Sequence, residues 1–272
     1  PATAKNVISV GASTNSLESF AEDFENHFSE SDILSNKKYY ENITLINFSS
    51  RGPTSDGRIK PEIIAPGMMI TSARSNTIDG KGFISKMGTS QATPLVAGAI
   101  GNIRQFLKNE KNIHNPSSAL IKTLITTSAS NHIKNVSNYY KLSNKIVLRH
   151  SALVSRMGIG FGILNTDDIF ENKINFKDRE LLNENQPNIF CMKSTGQTLN
   201  RFTLSWVDPP SNPSVKNHLV NDLDIIIIKN NETVLFGNGG IERDHINNIE
   251  QVAVPLDTGD IIRVIVTSTY IN

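Results

Sequence analysis

Only one cysteine, Cys191, occurs in the 272 residues, so no intrachain disulfide is available and the chain is not a small stapled fold. No apolar run approaches the roughly 20 residues that a membrane span needs. An excess of one charge is missing too: 27 Lys and Arg stand against 26 Asp and Glu, a formal net charge of +1. That balance gives no reason to expect nucleic acid or an anionic membrane surface as partner. No initiator Met or signal-peptide pattern precedes Pro1-Ala2-Thr3. The last residues, "IIRVIVTSTYIN", are still strand-like, and both ends are therefore expected to be cuts in a longer protein. The length suits one large domain or two smaller ones.

Short apolar runs dominate the first third: "NVISVGA" (6–12), "ITLINFSS" (43–50) and "PEIIAPG" (61–67). They have the look of a parallel sheet covered on both faces. The polar, acidic and Asn/Ser-rich stretch 13–42 between the first two is expected to be a surface insertion. N-x-[ST] acceptors fall at Asn42, Asn47, Asn135 and Asn231, which matter only if the parent is secreted. From Ser90, apolar residues recur at Ala92, Leu95, Val96, Ala99, Ile100, Ile103, Phe106 and Leu107, the spacing of an amphipathic helix. Thr89 or Ser90 is expected to cap it, Pro94 to sit in its first turn and Gly98 to pack closely against the sheet. A second helix is expected from about Ser117 to Ala129, with Leu120, Ile121, Leu124 and Ile125 as its stripe.

After residue 165 the character changes. Residues 166–198 read as a polar linker. Beyond them come alternating strands at 201–207, 223–229, 233–237, 250–256 and 260–267. The fold class expected is α/β, a partial parallel-sheet domain over 1–165, followed over 199–272 by an antiparallel β-sandwich or jelly roll, truncated at its C-terminal end. The glycines at 158, 160 and 162 follow no clear strand and open no helix, so they read as structural, not as a dinucleotide turn.

The stretch "MGTSQATPLVAG" (87–98) is the chemical candidate. A serine hydroxyl becomes a nucleophile once a positioned base takes its proton. A helix N-terminus favours developing negative charge, and the backbone N–H of Ser90 could itself bind an oxyanion. From the residues alone two readings stay open: a nucleophile, or an N-cap.

Gly88-Thr89-Ser90-x-Ala92-Thr93-Pro94-x-Val96-Ala97-Gly98 resembles the nucleophile motif of the subtilases, the subtilisin-like serine peptidases. Three further blocks occur in family order: 7–12, Phe48-Ser49-Ser50-Arg51-Gly52-Pro53, and Lys60-Pro61-Glu62-Ile63-Ile64-Ala65-Pro66-Gly67. The C-terminal part is similar to the jelly-roll domain of the oxidatively stable alkaline subtilases. The resemblance implies a serine endopeptidase acting on protein or peptide substrates through an acyl-enzyme on Ser90. Gly88, Thr89, Ala92 and Pro94 support the motif. It also implies a secreted or secretory-pathway protein.

Family members carry Asp, then His, then the oxyanion Asn ahead of the serine. None of the six histidines here stands in a His-Gly-[ST] context, and Asp257-Thr258-Gly259 falls after the serine, between two strands. The missing groups are expected on the N-terminal half of the catalytic domain, a required partner, and this chain alone is expected to be inactive. Most relatives have Met after the nucleophile, where this chain has Gln91, which removes a site of sulfoxide formation. No cofactor is required for such chemistry. Structural Ca2+ is compatible with the oxygen-bearing Asp222, Asp224, Asp244 and Glu250.

Two rivals remain. A non-catalytic relative would use its β domain as a stabilising or binding module. An α/β-hydrolase would need G-x-S-x-G, whereas the last position here is Ala92, and its Asp and His would follow the serine among alternating helices and strands.

Overall fold

The computed structural model describes residues 1–15, 43–75, 82–130, 135–142, 145–153, 155–184 and 186–271, with the backbone alone between 135 and 153. The insertion expected at 13–42 lies outside the described residues from position 16 onward, as does Asn42.

The N-terminal unit is built from β1 (Val10–Ser13), β2 (Leu45–Ile46), β3 (Ile63–Pro66), β4 (Ile70–Ala73) and β5 (Phe83–Lys86). Then come α1 (Thr89–Lys111), α2 (Ser118–Ser128), β6 (Asn135–Leu142), β7 (Lys145–Leu153) and two single-turn helices, α3 (Arg156–Ile159) and α4 (Asp167–Phe170). Five strands form one sheet in the order β3-β1-β2-β6-β7. The sheet is mixed, which corrects the parallel expectation: β1 and β3 run parallel, as do β2 and β6, but β1–β2 and β6–β7 are antiparallel. Continuous apolar runs report burial of both faces, which favours parallel pairing, as between β1 and β3, without fixing the direction of every strand. The expected burial is present. Ile63 and Ala65 face α1 and α2 in one cluster with Ala12, Ala92 and Leu124. Ile64, one residue out of phase, packs on the other face with Leu45, Ile159 and Ile163.

Both long helices follow the periodicity. On α1, Ala92, Val96, Ile103 and Leu107 are buried, and on α2 so are Leu120, Ile121, Leu124 and Ile125. Three details of α1 are corrected. Its N-cap is Gly88, with no side-chain cap, because Thr89 is already the first helical residue. Pro94 is consequently the sixth residue, in the second turn. Gly98 is exposed and has no atom within 4 Å of the position a Cβ would take, so close sheet packing does not explain it.

The glycine-rich segment is structural. Phe161 N–H donates to the Glu62 carbonyl, Ile64 N–H to the Gly162 carbonyl and Leu164 N–H to the Ile64 carbonyl, so the chain runs along the free edge of β3. Gly160 has φ +59°, and a Cβ there would collide with the Pro61 and Glu62 carbonyls.

In the C-terminal unit β8 (Asn188–Lys193), β9 (Thr198–Ser205), β10 (Asp222–Lys229), β11 (Thr233–Phe236), β12 (Ile249–Leu256) and β13 (Ile261–Tyr270) form two antiparallel sheets. One has the order β11-β10-β13-β8 and the other pairs β9 with β12. Ile225, Ile227, Val252, Val254, Leu256, Ile262 and Val264 are buried in one cluster drawn from both sheets, flanked by Phe202 and Leu204. β8 lies inside the stretch read as a linker, while Ile169, Ile174 and Phe176 of that stretch pack on the N-terminal core. Asp257-Thr258-Gly259 is the turn between β12 and β13, with Gly259 at φ +96°.

The two units meet through Ile249 of β12, which is buried in the N-terminal core, and through polar contacts. Asp208, fully buried, accepts from Lys5 Nζ at 2.5 Å and from the Val220 and Asn221 N–H groups. Gln251 Nε2 donates to the Thr126 carbonyl, and Ile59 N–H donates to Asn247 Oδ1.

Candidate active site

Ser90 is the second residue of α1 and is exposed. What puts it there is a turn only glycine tolerates. Gly88 has φ 149° and ψ 165°, outside the range that L side chains favour. Its N–H donates to the Gly67 carbonyl at 2.7 Å, and the Gly67 N–H donates to the Ser13 carbonyl at 3.0 Å. A Cβ on Gly67 would lie 2.6 Å from Ala12 Cβ and 2.8 Å from the Gly88 carbonyl oxygen. The glycine of the Pro66-Gly67 block therefore lets the serine loop rest on the end of β1. Ala92 points the other way, into the core at 0 % exposure, where a larger side chain would push the helix off β1 and β3.

The first N–H groups of a helix have no intrahelical acceptor. Here the Gly88 carbonyl takes the bonds from the Gln91 and Ala92 N–H groups at 3.1 and 3.4 Å. The N–H groups of Thr89 and Ser90 lie ahead of that first bond, at the positive end of a 23-residue helix. Thr93 Oγ1 donates to the Thr89 carbonyl at 2.9 Å beside Pro94, which has no N–H of its own. Gln91 folds back, its Oε1 lying 2.9 Å from where a Gly88 Cβ would be.

The described histidine side chains are engaged elsewhere. His114 pairs with Asn112, His218 with Ser211 and His245 with Asp222. His27 and His132 lie outside the described residues, and the side chain of His150 is not described. The described chain thus assembles a serine and a pair of free N–H donors without bringing a histidine to them.

At the other end of β1 and β3 from the Gly67–Gly88 contact, the Lys60-Pro61-Glu62 block forms a buried ionic strut. Glu62 pairs with Lys60 and, at 3.0 Å, with Lys122 on α2, while its other oxygen accepts from Ser9 N–H and Oγ at 2.8 and 2.7 Å. Burial raises the Glu62 carboxyl pKa, but Lys122 and Lys60 outweigh it and hold the group below its ordinary value. Burial pulls Lys60 down to about 8, against the opposing pull of Glu62. Lys122 was not singled out from sequence, because a lone lysine in an apolar helical stripe carries no motif.

The four acids considered for calcium do not act alike. Asp244 is saturated, accepting from the Ile246 and Asn247 N–H groups and from the Asn238 and Asn247 amides. Glu250 accepts from Ile225 N–H at 2.8 Å, and burial drives its carboxyl up to about 9. Asp222 and Asp224 come together instead with His245, which spacing gave no reason to suspect.

Comparison with known proteins gives the family of the chain. The profile described as "Subtilase family" matches residues 1–160, more than half of the chain. The chain belongs to the subtilase family. Among curated relatives, "Serine protease/ABC transporter B family protein tagD" of Dictyostelium discoideum is 29% identical over 294 residues, covering 82% of this chain and 16% of that protein. "Pyrolysin" of Pyrococcus furiosus is 41% identical over 91 residues, covering 34% of this chain and 6% of its own length. "PIII-type proteinase" of Lactococcus lactis is 36% identical over 104 residues, covering 38% of this chain and 5% of its own. The chain thus spans no more than about a sixth of the length of these relatives. No helix among the described residues is long and apolar enough to cross a membrane.

Proposed function

We propose that this chain is the serine-bearing part of a subtilisin-like endopeptidase. Ser90 Oγ attacks the scissile carbonyl carbon, a base takes the hydroxyl proton and hands it to the leaving amine, and water later releases the acyl group from Ser90. The Ser90 N–H holds the tetrahedral oxyanion. The observation that carries this reading is the exposed Ser90 on a helix whose N-cap is Gly88, so that its hydroxyl is not used to cap the helix.

The base, its orienting carboxylate and a side-chain oxyanion donor come in this reading from the N-terminal half of the catalytic domain, docked on this chain as partner. Leu95, 40 % exposed, and Gly98 lie one turn apart on the exposed side of α1, where that half would dock. Residues 1–165 form the catalytic part and the two C-terminal sheets a jelly roll that braces it, with secretion as the family setting. The acyl-transfer chemistry draws on no cofactor.

The test is peptide hydrolysis by the full-length protein and its Ser90→Ala variant. Turnover should fall on the order of 10⁶-fold, because triad members act as a unit, and the 272-residue chain alone should not hydrolyse peptide. Wild-type turnover in the variant, or hydrolysis by the chain alone, contradicts the reading.

A further inference from the structure

We propose that the outer end of β10 is a divalent-cation site, with the Asp222 and Asp224 carboxylates and the His245 imidazole as ligands. One carboxylate oxygen from each aspartate and a ring nitrogen of His245 all lie within 4.8 Å of one another. Asp222 and Asp224 are two apart on a strand and share a face, and a register shift between Asp222 and Leu223 adjusts the end of that face.

Both carboxylates are almost fully buried, each at 1 % exposure, and one oxygen of each, Oδ1, has no hydrogen-bond partner. Their other oxygens are only lightly held. Asp222 Oδ2 meets His245 Nδ1 at 2.6 Å. Asp224 Oδ2 accepts from Thr269 Oγ1 at 3.0 Å and faces Arg243 Nη1 at 3.6 Å. A buried carboxylate oxygen stripped of water and given no donor costs free energy unless a cation answers it. Two other acids of the same unit are satisfied completely, whereas Glu250, on the neighbouring β12, shares with the aspartates a buried oxygen, Oε1, that has no partner. Both oxygens of Asp208 and of Asp244 are bonded, each acid accepting from two backbone N–H groups and at least one side chain. Asp222 and Asp224 have no backbone donor of that kind.

The donor set selects the ion. Two carboxylates with an imidazole suit zinc or manganese, whereas calcium takes oxygen ligands and would leave the imidazole outside. The side chain of His245 is half exposed, so water can complete the shell. The site is structural in this proposal: it pins the 238–248 loop, through His245, to the end of β10.

The experiment is calorimetric titration of chelator-treated protein with Zn2+, Mn2+ and Ca2+ separately, on the wild type and on Asp224→Asn and His245→Ala. Circular dichroism of each metal-free variant establishes that it is folded. Zn2+ or Mn2+ should bind saturably at one equivalent, raise the midpoint of thermal unfolding, and weaken by roughly tenfold or more in both variants. His245→Ala keeps the test open should Asp224→Asn fail to fold, since its side chain lies at the surface. No saturable binding of Zn2+ or Mn2+ overturns the proposal. So does binding that both variants retain at full affinity, or binding of Ca2+ alone that His245→Ala leaves unchanged.

Discussion

At the start of α2, Ser117 accepts a hydrogen bond from the Leu120 N–H at 2.9 Å and its hydroxyl donates to Asp178, whose other oxygen takes the Ser117 N–H. At the start of α1, the serine sits one position inside the helix and glycine occupies the cap. Two helices of one unit, both with serine at their N-terminal end, spend that hydroxyl differently. Ser117 closes the end of its helix. Ser90 stands exposed over free N–H groups while the loop behind it is held by glycines. A serine at a helix start can therefore close the helix or be left exposed, and which it is shows in who supplies the cap.

The largest effect is expected away from both helix starts, at the buried strut. Glu62→Gln should cost about 3–5 kcal/mol, because it leaves Lys60 and Lys122 buried beside a neutral amide. Urea unfolding would read it. A pH signature accompanies the loss. The Glu62 pKa is lowered in the folded state, so its contribution is present above the ordinary value of 4.5 and disappears as pH falls through the lower folded value. The wild type should lose stability in that acid window and the variant should show a flatter limb there. An unchanged limb would mean that the strut is not the acid-sensitive element.

Gly88→Ala comes next. A side chain at φ 149° should strain the serine turn by about 1–3 kcal/mol and displace Gln91. Ser117→Ala should cost about 1 kcal/mol as a lost cap. The smallest change is expected at Ser90: Ser90→Ala should leave stability within about 0.5 kcal/mol. If Ser90→Ala and Ser117→Ala cost the same, the two helix starts are equivalent and the distinction fails.

Much of this was legible in the sequence. The stripes of α1 and α2 and the alternation of β9, β10, β12 and β13 could be read because one buried face imposes a fixed period. β8 was hidden in a polar stretch because it is an edge strand, with only Ile189 to Met192 to announce it and mostly exposed side chains. β4 and β5 expose nearly every side chain, including Phe83 at 72 %, so no burial pattern marks them. Strand direction was misjudged since burial does not fix it for every strand. For the site, the serine motif pointed to Ser90, but the Gly67–Gly88 contact, Lys122 and His245 came only from the fold. Each owes its place to residues more than 20 positions away, and no local spacing records such a meeting.

The most direct test of the central claim is fluorophosphonate labelling of the full-length protein, with the modified residue located by mass spectrometry. The account predicts one labelled serine, Ser90, lost in Ser90→Ala and unaffected in Ser117→Ala. Label carried by another serine, or no label on a protein that hydrolyses peptides, would contradict it.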